Sequence, residues 1–301
     1  MTIGFVLSEQ VMVNAVIGYG VAAEQVGFER LWMADHFQPW IDFQGHAPQA
    51  WVALGALGQR TQRIPFGTSI TCPIYRYRPT VVAQAFATLA TLYPGRIFLG
   101  LSSGAAHDEV PAASTWGDEG ERADRLVEAI SIIRRLWQGD RVTHHGQHFH
   151  ISDARLYDLP EQPVPLYIAA EDVESMRLAG RHGDGLITGA AAVMRPELRA
   201  AFEEGAREFG KDPALMPIFA ELFVVVGRGA VVTAADSGTS SQWVVSTDPE
   251  EHVAAIRGLL DLGVREVHIH AAQPDQRRVI EFYGREVLPR FKGLRTKARG
   301  A

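Results

Sequence analysis

Short apolar runs alternate with longer amphipathic stretches along almost the whole chain. The short runs predict buried strands, and the longer stretches, with apolar residues at helical spacing, predict helices that bury one face. Predicted strands cover residues 3–7, 30–34, 64–68, 97–101, 166–169, 185–188, 218–225 and 266–270. Predicted helices cover residues 13–25, 49–59, 80–92, 122–138, 173–182, 196–209, 249–262 and 276–288.

A strand followed each time by a helix predicts parallel strands, because the helix carries the chain back to the start of the next strand. This α/β pattern closes most simply into a (β/α)8 TIM barrel, which leaves no exposed strand edge. A doubly wound open sheet is the alternative. No Gly/Ser-rich or Pro-rich linker divides the chain, so we expect one domain over residues 1–301. Two segments, 138–151 and 227–241, interrupt the repeat and are predicted insertions, the first a hairpin.

The composition, with 47% apolar and 21% charged residues, is that of an ordinary globular protein. A formal net charge of −6 without a basic block argues against a nucleic-acid partner. No apolar run approaches the roughly 20 residues of a membrane span, and the N-terminus lacks the features of a secretory signal. The single cysteine, Cys72, excludes an internal disulfide. We therefore expect a cytoplasmic protein that does not contact the membrane.

Functional groups of such a barrel lie in the loops that follow the C-terminal ends of the strands. After the second predicted strand the chain has the motif DHFQPW at 35–40. His36 within it suits proton transfer near neutral pH, although a loop histidine bonded to backbone is the alternative. His270 lies near the end of the last strand and either contacts substrate or packs inside the barrel. Trp243, after the second insertion, either forms an apolar wall of the substrate pocket or packs under the loop.

Four histidines crowd the first insertion and raise the question of a metal site. They are His144, His145, His148 and His150. Strand alternation divides them between two faces, and no acidic residue or cysteine lies adjacent. We therefore predict a hairpin surface and no metal.

Short motifs spread along the chain carry a resemblance to a known family. Besides DHFQPW they are GHAP at 45–48, GTS at 67–69, RY at 76–77, AQAFAT at 83–88, YPGR at 93–96, YIAA at 167–170 and DQRR at 275–278. Together they resemble the bacterial-luciferase-like superfamily, and within it the glucose-6-phosphate dehydrogenase-like oxidoreductases that use the deazaflavin coenzyme F420. The resemblance implies a luciferase-like barrel, F420 as cofactor, a small-molecule substrate and a homodimer.

The resemblance also implies roles for individual residues. His36 is implied as the base that takes a hydroxyl proton while hydride leaves the same carbon, with Trp40 stabilising the site beside it. Glu9 is implied to orient His36, although its position equally suits a solvated loop carboxylate. The implied cofactor contacts are Asp35, Ser69, Ile70, Cys72, Ser103, Gly104, Ala169 and Ala170. The bond between Ser69 and Ile70 corresponds to a cis peptide of the family, and Cys72, which lacks a base, is predicted to pack rather than react.

Three places depart from the family. Ala105 stands where the family has a glutamate near the deazaflavin, and His107, Asp108 or Glu109 either replace it or cap the following turn. Glu171 and Asp172 stand where relatives have two glycines near the cofactor phosphate, where two carboxylates repel it unless they point away. Positions that hold a sugar phosphate are occupied by Ala192 and Gln242.

These observations predict an oxidoreductase that transfers hydride between F420 and an uncharged alcohol or carbonyl compound. The changed phosphate loop and Ala105 keep open an FMN-dependent reductase or monooxygenase. Ala105 also leaves open a barrel that binds cofactor without turnover.

Overall fold

The computed structural model describes residues 1–8, 10–40, 42–227 and 242–294. Its strands are β1 (Thr2–Leu7), β2 (Leu31–Met33), β3 (Phe66–Thr68), β4 (Ile97–Leu101), β5 (Val142–His145), β6 (His150–Ala154), β7 (Leu166–Ala169), β8 (Gly185–Gly189), β9 (Ile218–Val225), β10 (Trp243–Val245) and β11 (Glu266–Ala271). Its helices are α1 (Val13–Val26), α2 (Ala50–Arg60), α3 (Pro79–Leu92), α4 (Ala106–Ala113), α5 (Glu119–Trp137), α6 (Val173–His182), α7 (Ala190–Val193), α8 (Pro196–Glu208), α9 (Pro249–Asp261) and α10 (Gln276–Phe282).

Eight of these strands form a closed parallel barrel, which confirms the predicted fold. Around the barrel the order is β1, β2, β3, β4, β7, β8, β9 and β11, and β11 pairs with β1 to close it. β10 continues the sheet beside the C-terminal half of β9, beyond the part of β9 that pairs with β8. No helix in the described ranges is long and apolar enough to cross a membrane.

The first predicted insertion is a hairpin, formed by β5 and β6 and longer than expected, since it runs to Ala154. Glu128 on α5 holds it in place by accepting from His144 Nε2 at 2.7 Å and from the Phe149 backbone N–H at 2.8 Å. Among the described residues, no group of three His, Cys, Asp or Glu side chains is arranged to hold a metal ion. The second predicted insertion lies, after Gly227, outside the described residues up to position 241.

Several element boundaries differ from the sequence prediction. β3 starts only after Pro65, which lacks the N–H that a strand needs for its ladder. α5 starts at Glu119 rather than 122, because the Asp118 side chain caps it by accepting from the Glu121 N–H at 2.9 Å. The last predicted helix is divided in the structure into α10 and a π-helical turn, Tyr283–Val287, that follows it directly. α4, α7 and β10 were not predicted at all.

Inward-facing side chains of the strands fill the barrel. Six of them form what we call the interior cluster: Val6, Trp32, Phe98, Tyr167, Ile187 and Phe219. Below it, at the N-terminal ends of the strands, the buried carboxylate of Glu266 accepts from Trp32 Nε1 at 2.9 Å, Thr2 Oγ1 at 2.6 Å and Arg30 Nε at 3.2 Å. The filled interior leaves the C-terminal mouth of the barrel as the place for chemistry.

Candidate active site

The floor of the mouth is apolar. Ile70, after β3, and Ala169, at the end of β7, pack on the interior cluster and remain partly exposed. The peptide bond between Ser69 and Ile70 is cis, as the resemblance implied. Partly exposed apolar side chains at the top of a filled barrel provide a platform on which a flat ring can lie.

His36 stands at the rim of this floor, just beyond β2. Its Nδ1 lies 2.8 Å from Oδ2 of Asp108, which comes from the first turn of α4. The other oxygen, Oδ1, accepts from the Phe37 backbone N–H at 2.9 Å. Burial opposes ionisation of Asp108, but the hydrogen bonds from His36 and Phe37 hold the pKa of this carboxyl below its ordinary value. The imidazole is thus paired with an ionised carboxylate.

Trp40 lies next to His36, as predicted. The two rings meet edge to face with centroids 5.3 Å apart. On its other side Trp40 stacks on His107, with centroids 4.8 Å apart and the ring planes within 8° of parallel. His107 Nε2 lies 3.0 Å from the Pro39 carbonyl oxygen. His107 therefore holds the indole in place.

Asp35, predicted to contact the cofactor, is buried under the site. Its Oδ2 accepts from Thr71 Oγ1 at 2.6 Å, and its Oδ1 accepts from Tyr77 OH at 3.1 Å. Arg76 lies 3.3 Å from Oδ1 and also donates to the Asp35 carbonyl oxygen. Burial raises the pKa of Asp35 above its ordinary value against the pull of Arg76. Asp35 anchors the chain from below while His36 faces the mouth.

The remaining residues predicted to contact the cofactor fall into two groups, one partly exposed and one buried. Ser69, Ser103 and Gly104 are partly exposed at the mouth, whereas Cys72 and Ala170 are buried. Burial raises the pKa of the Cys72 thiol, so the sulfur stays protonated and packs, as predicted. Gly104 has a φ of 80°, and a side chain there would meet Glu109 at 3.2 Å. Only glycine lets the loop pass this close to α4.

The part of the mouth formed by β9, β10 and β11 carries a second imidazole–carboxylate pair and two aromatic rings. His270 Nδ1 lies 2.8 Å from Oε1 of Glu221 on β9. His270 also stacks on Phe223 at 4.6 Å between centroids, and Phe223 stacks on Trp243 at 4.8 Å. The three rings are in register across β11, β9 and β10. His270 and Trp243 thus belong to one wall of the mouth.

A groove of about 520 Å³ leads away from the mouth between α5 and α6. Ser103, Ala169 and Asp172 line its inner end. Asp172 caps α6, because its side chain accepts from the Ser175 N–H at 2.9 Å and from Ser175 Oγ at 2.8 Å. A negative charge therefore occupies the helix N-terminus at which the resemblance places the cofactor phosphate.

The sequence did not identify the two carboxylates that bind the predicted histidines. Asp108 was considered only as a replacement acid or a cap, and Glu221 was not singled out. No local pattern points to either, because His36 and Asp108 are 72 positions apart and His270 and Glu221 are 49 apart. Glu9 lies outside the described residues, so its role beside His36 stays a prediction.

The geometry defines a class of protein: a (β/α)8 barrel with an apolar platform and a carboxylate-bound histidine at its C-terminal mouth. Within that class, the chain belongs to the luciferase-like monooxygenase family, whose model matches residues 3–254. The family resemblance stated from the sequence is confirmed.

Two curated relatives and one solved structure similar to this chain are F420-dependent dehydrogenases. The chain is 42% identical over 318 aligned positions to the F420-dependent hydroxymycolic acid dehydrogenase of Mycobacterium tuberculosis, covering 96% of this chain and 88% of that protein. It is 38% identical to the F420-dependent glucose-6-phosphate dehydrogenase of Nakamurella multipartita, covering 95% of each. A solved F420-dependent secondary alcohol dehydrogenase, in complex with an F420–acetone adduct, superposes with a TM-score of 0.88 at 32% identity, covering 95% of this chain and 98% of that one.

Proposed function

We propose that this protein is an F420-dependent oxidoreductase that moves hydride between the deazaflavin and the carbon of an uncharged alcohol or carbonyl compound. The observation that carries the proposal is His36, held by Asp108 at the rim of an apolar platform. Relatives that are F420-dependent dehydrogenases support the cofactor and the reaction class.

The residues at the mouth fit a deazaflavin ring. Ile70 and Ala169 offer a flat apolar surface, and the loop at Ser103 and Gly104 borders it. When bound there, F420 supplies a two-electron hydride carrier. The chain's own contribution is to hold the ring on the platform and to manage the proton that accompanies the hydride.

His36 is the group that handles this proton. Its Nδ1 is bonded to Asp108, so proton exchange with a substrate hydroxyl falls to Nε2. In alcohol oxidation Nε2 takes the hydroxyl proton as hydride leaves the same carbon, and in the reverse direction it returns the proton to the carbonyl oxygen. The nearby indole of Trp40 limits the orientations open to the imidazole.

An uncharged substrate suits the positions that hold a sugar phosphate in the resembling enzymes. Ala192 is buried and apolar, and Gln242 carries a neutral amide. The wall built from Phe223, Trp243 and His270 offers ring surface with the imidazole of His270 and the indole N–H of Trp243 as its polar groups. Such a lining favours an apolar molecule with a single hydroxyl or carbonyl group.

The cofactor is tested by fluorescence titration of the protein with F420 and FMN in parallel. We expect F420 to bind more tightly. FMN binding tenfold tighter, a difference of about 1.4 kcal/mol, would overturn the cofactor assignment.

In Asp172→Asn, which retains a capping side chain without the charge, F420 should bind up to about fivefold tighter at low salt. Asp248→Asn, at the N-cap of the distant helix α9, is the matched control.

Glucose 6-phosphate should not serve as a substrate. Without cationic partners its phosphate loses charge-assisted hydrogen bonds that contribute about 1.5–3 kcal/mol each. The measurement is reduction of F420 by the sugar phosphate and by secondary alcohols of increasing apolar size, followed by absorbance. Saturable turnover of the sugar phosphate at micromolar KM would contradict the uncharged substrate class and leave the hydride-transfer proposal standing.

A further inference from the structure

We propose that Asp108 is the positioning residue of this site, which keeps the His36 proton on Nδ1 and thereby directs Nε2 toward the substrate. The effect on turnover rests on the proposed function. The effect on the imidazole is a property of the chain alone and is measurable without cofactor or substrate.

The carboxylate of Asp108 forms hydrogen bonds with two consecutive residues. Oδ2 meets the His36 ring at 2.8 Å and Oδ1 meets the Phe37 backbone N–H at 2.9 Å. The residue is only 6% exposed, so water does not compete strongly for these bonds. One side chain therefore fixes both the backbone that carries the imidazole and the rotation of the ring.

The first turn of α4 places this carboxylate at the loop after β2. Its N-cap, Ala105, has no side chain that can cap, and the acidic residues of its first turn bond outside the helix. Asp108 binds His36, and the next residue, Glu109, accepts from the Arg76 backbone N–H at 2.8 Å. Arg76 in turn holds Asp35. Asp108 thus binds the loop after β2 directly, and Glu109 binds the segment at Arg76 that holds Asp35, so both carboxylates are used outside their own helix.

The charges around the pair are consistent with an ionised Asp108. The charge of Arg76 favours the ionised carboxylate, whereas the neighbouring carboxyl of Glu109 opposes it. Glu221, which is bonded to His270, also lies near enough to His36 for an electrostatic interaction. An ionised carboxylate only accepts hydrogen bonds, so His36 Nδ1 has to be the donor. In the neutral form of the imidazole, Nε2 is then the nitrogen that accepts a proton.

Asp108→Asn is the informative variant because its shape and contacts are nearly retained. The amide oxygen still accepts from the Phe37 N–H, but the amide nitrogen donates to Nδ1 and forces the imidazole proton onto Nε2. We expect 15N NMR of histidine-labelled protein, with the His36 signal assigned by its loss in His36→Gln, to show Nδ1–H in the native chain and Nε2–H in the variant. The pH at which His36 titrates should also fall, because a neighbouring negative charge is removed.

The matched control is Asp212→Asn, which changes a capping aspartate in the connection from α8 to β9, at the N-terminal end of the barrel, and should leave the His36 signal unchanged. If Asp108→Asn does not fold, Asp108→Ala, which removes both contacts, replaces it and should show a mixture of tautomers. A native tautomer and titration retained in a folded Asp108 variant would overturn the proposal.

With F420 and the best alcohol, kcat of Asp108→Asn should fall by about 10²- to 10⁴-fold, while KM and the Kd for F420 stay near those of the native protein. A merely structural role would move Kd and melting temperature together instead. If the native protein transfers no hydride with any alcohol, the proposed function fails, and the NMR result still decides the role of Asp108. Lost turnover with an unchanged His36 tautomer and titration would also refute the positioning role.

Discussion

Replacing His36 with alanine should lower turnover by about 10²- to 10⁴-fold, the range for a positioned general acid or base. The Kd for F420 should change little, because the imidazole acts on the substrate proton and the platform of Ile70 and Ala169 remains intact. The measurement is single-turnover hydride transfer with the best alcohol, followed by F420 absorbance, beside a fluorescence titration of the cofactor.

His36→Asn separates shape from proton transfer. The amide retains some hydrogen bonding to Asp108 but does not carry a proton near neutral pH, so its rate should resemble that of His36→Ala. A histidine with only a structural role would instead give lower melting temperatures and weaker cofactor binding in both variants. Native rates in folded His36 variants would remove this residue from the mechanism.

The second large effect is expected at the other end of the barrel. Glu266→Gln should lower the free energy of unfolding by about 3–5 kcal/mol, because it leaves the charge of Arg30 without its buried counter-charge. Glu266 and Arg30 are joined at 3.2 Å, and the same carboxylate bonds Thr2 and Trp32. These contacts link β11 to β1 and β2, where the barrel closes. The measurement is denaturant unfolding at neutral pH.

Glu197→Gln is the control for this prediction, since it removes an exposed partner of Arg195 whose ion pair is screened by water, and it should leave the free energy of unfolding almost unchanged. An equally small loss in Glu266→Gln would show that the buried network does not stabilise the fold.

The stabilisation by Glu266 should depend on pH in a defined direction. Burial opposes ionisation, but Arg30, His268 and Thr2 lower the pKa of Glu266 from 4.5 to about 2. A carboxyl with a lowered pKa in the folded protein stabilises it fully above pH 4.5 and loses that contribution as the pH falls toward 2. The stability difference between the native chain and Glu266→Gln should therefore narrow over this interval. A constant difference would locate the effect in packing rather than charge.

Several features of the site could be read from the chain because they are local. The motif at 35–40 follows a strand, so its side chains had to lie at one end of a parallel barrel, and the structure places His36 and Trp40 there together. The hairpin after α5 was visible from its alternation. The N-caps of α5 and α6, Asp118 and Asp172, were harder to predict from the sequence. A capping residue moves the start of a helix without changing its hydrophobic pattern.

The periodic pattern of apolar residues by itself determined the eight βα units and the end of the strands at which chemistry is possible, and it favoured a closed barrel over an open sheet. Only the tertiary structure decided that Asp108 binds His36, that Glu221 binds His270, and that Asp35 is buried rather than turned to the mouth. The physical reason is range. Hydrophobic period and turn chemistry act over a few residues, whereas a carboxylate finds its imidazole only after folding brings residues of different βα units within 3 Å of each other.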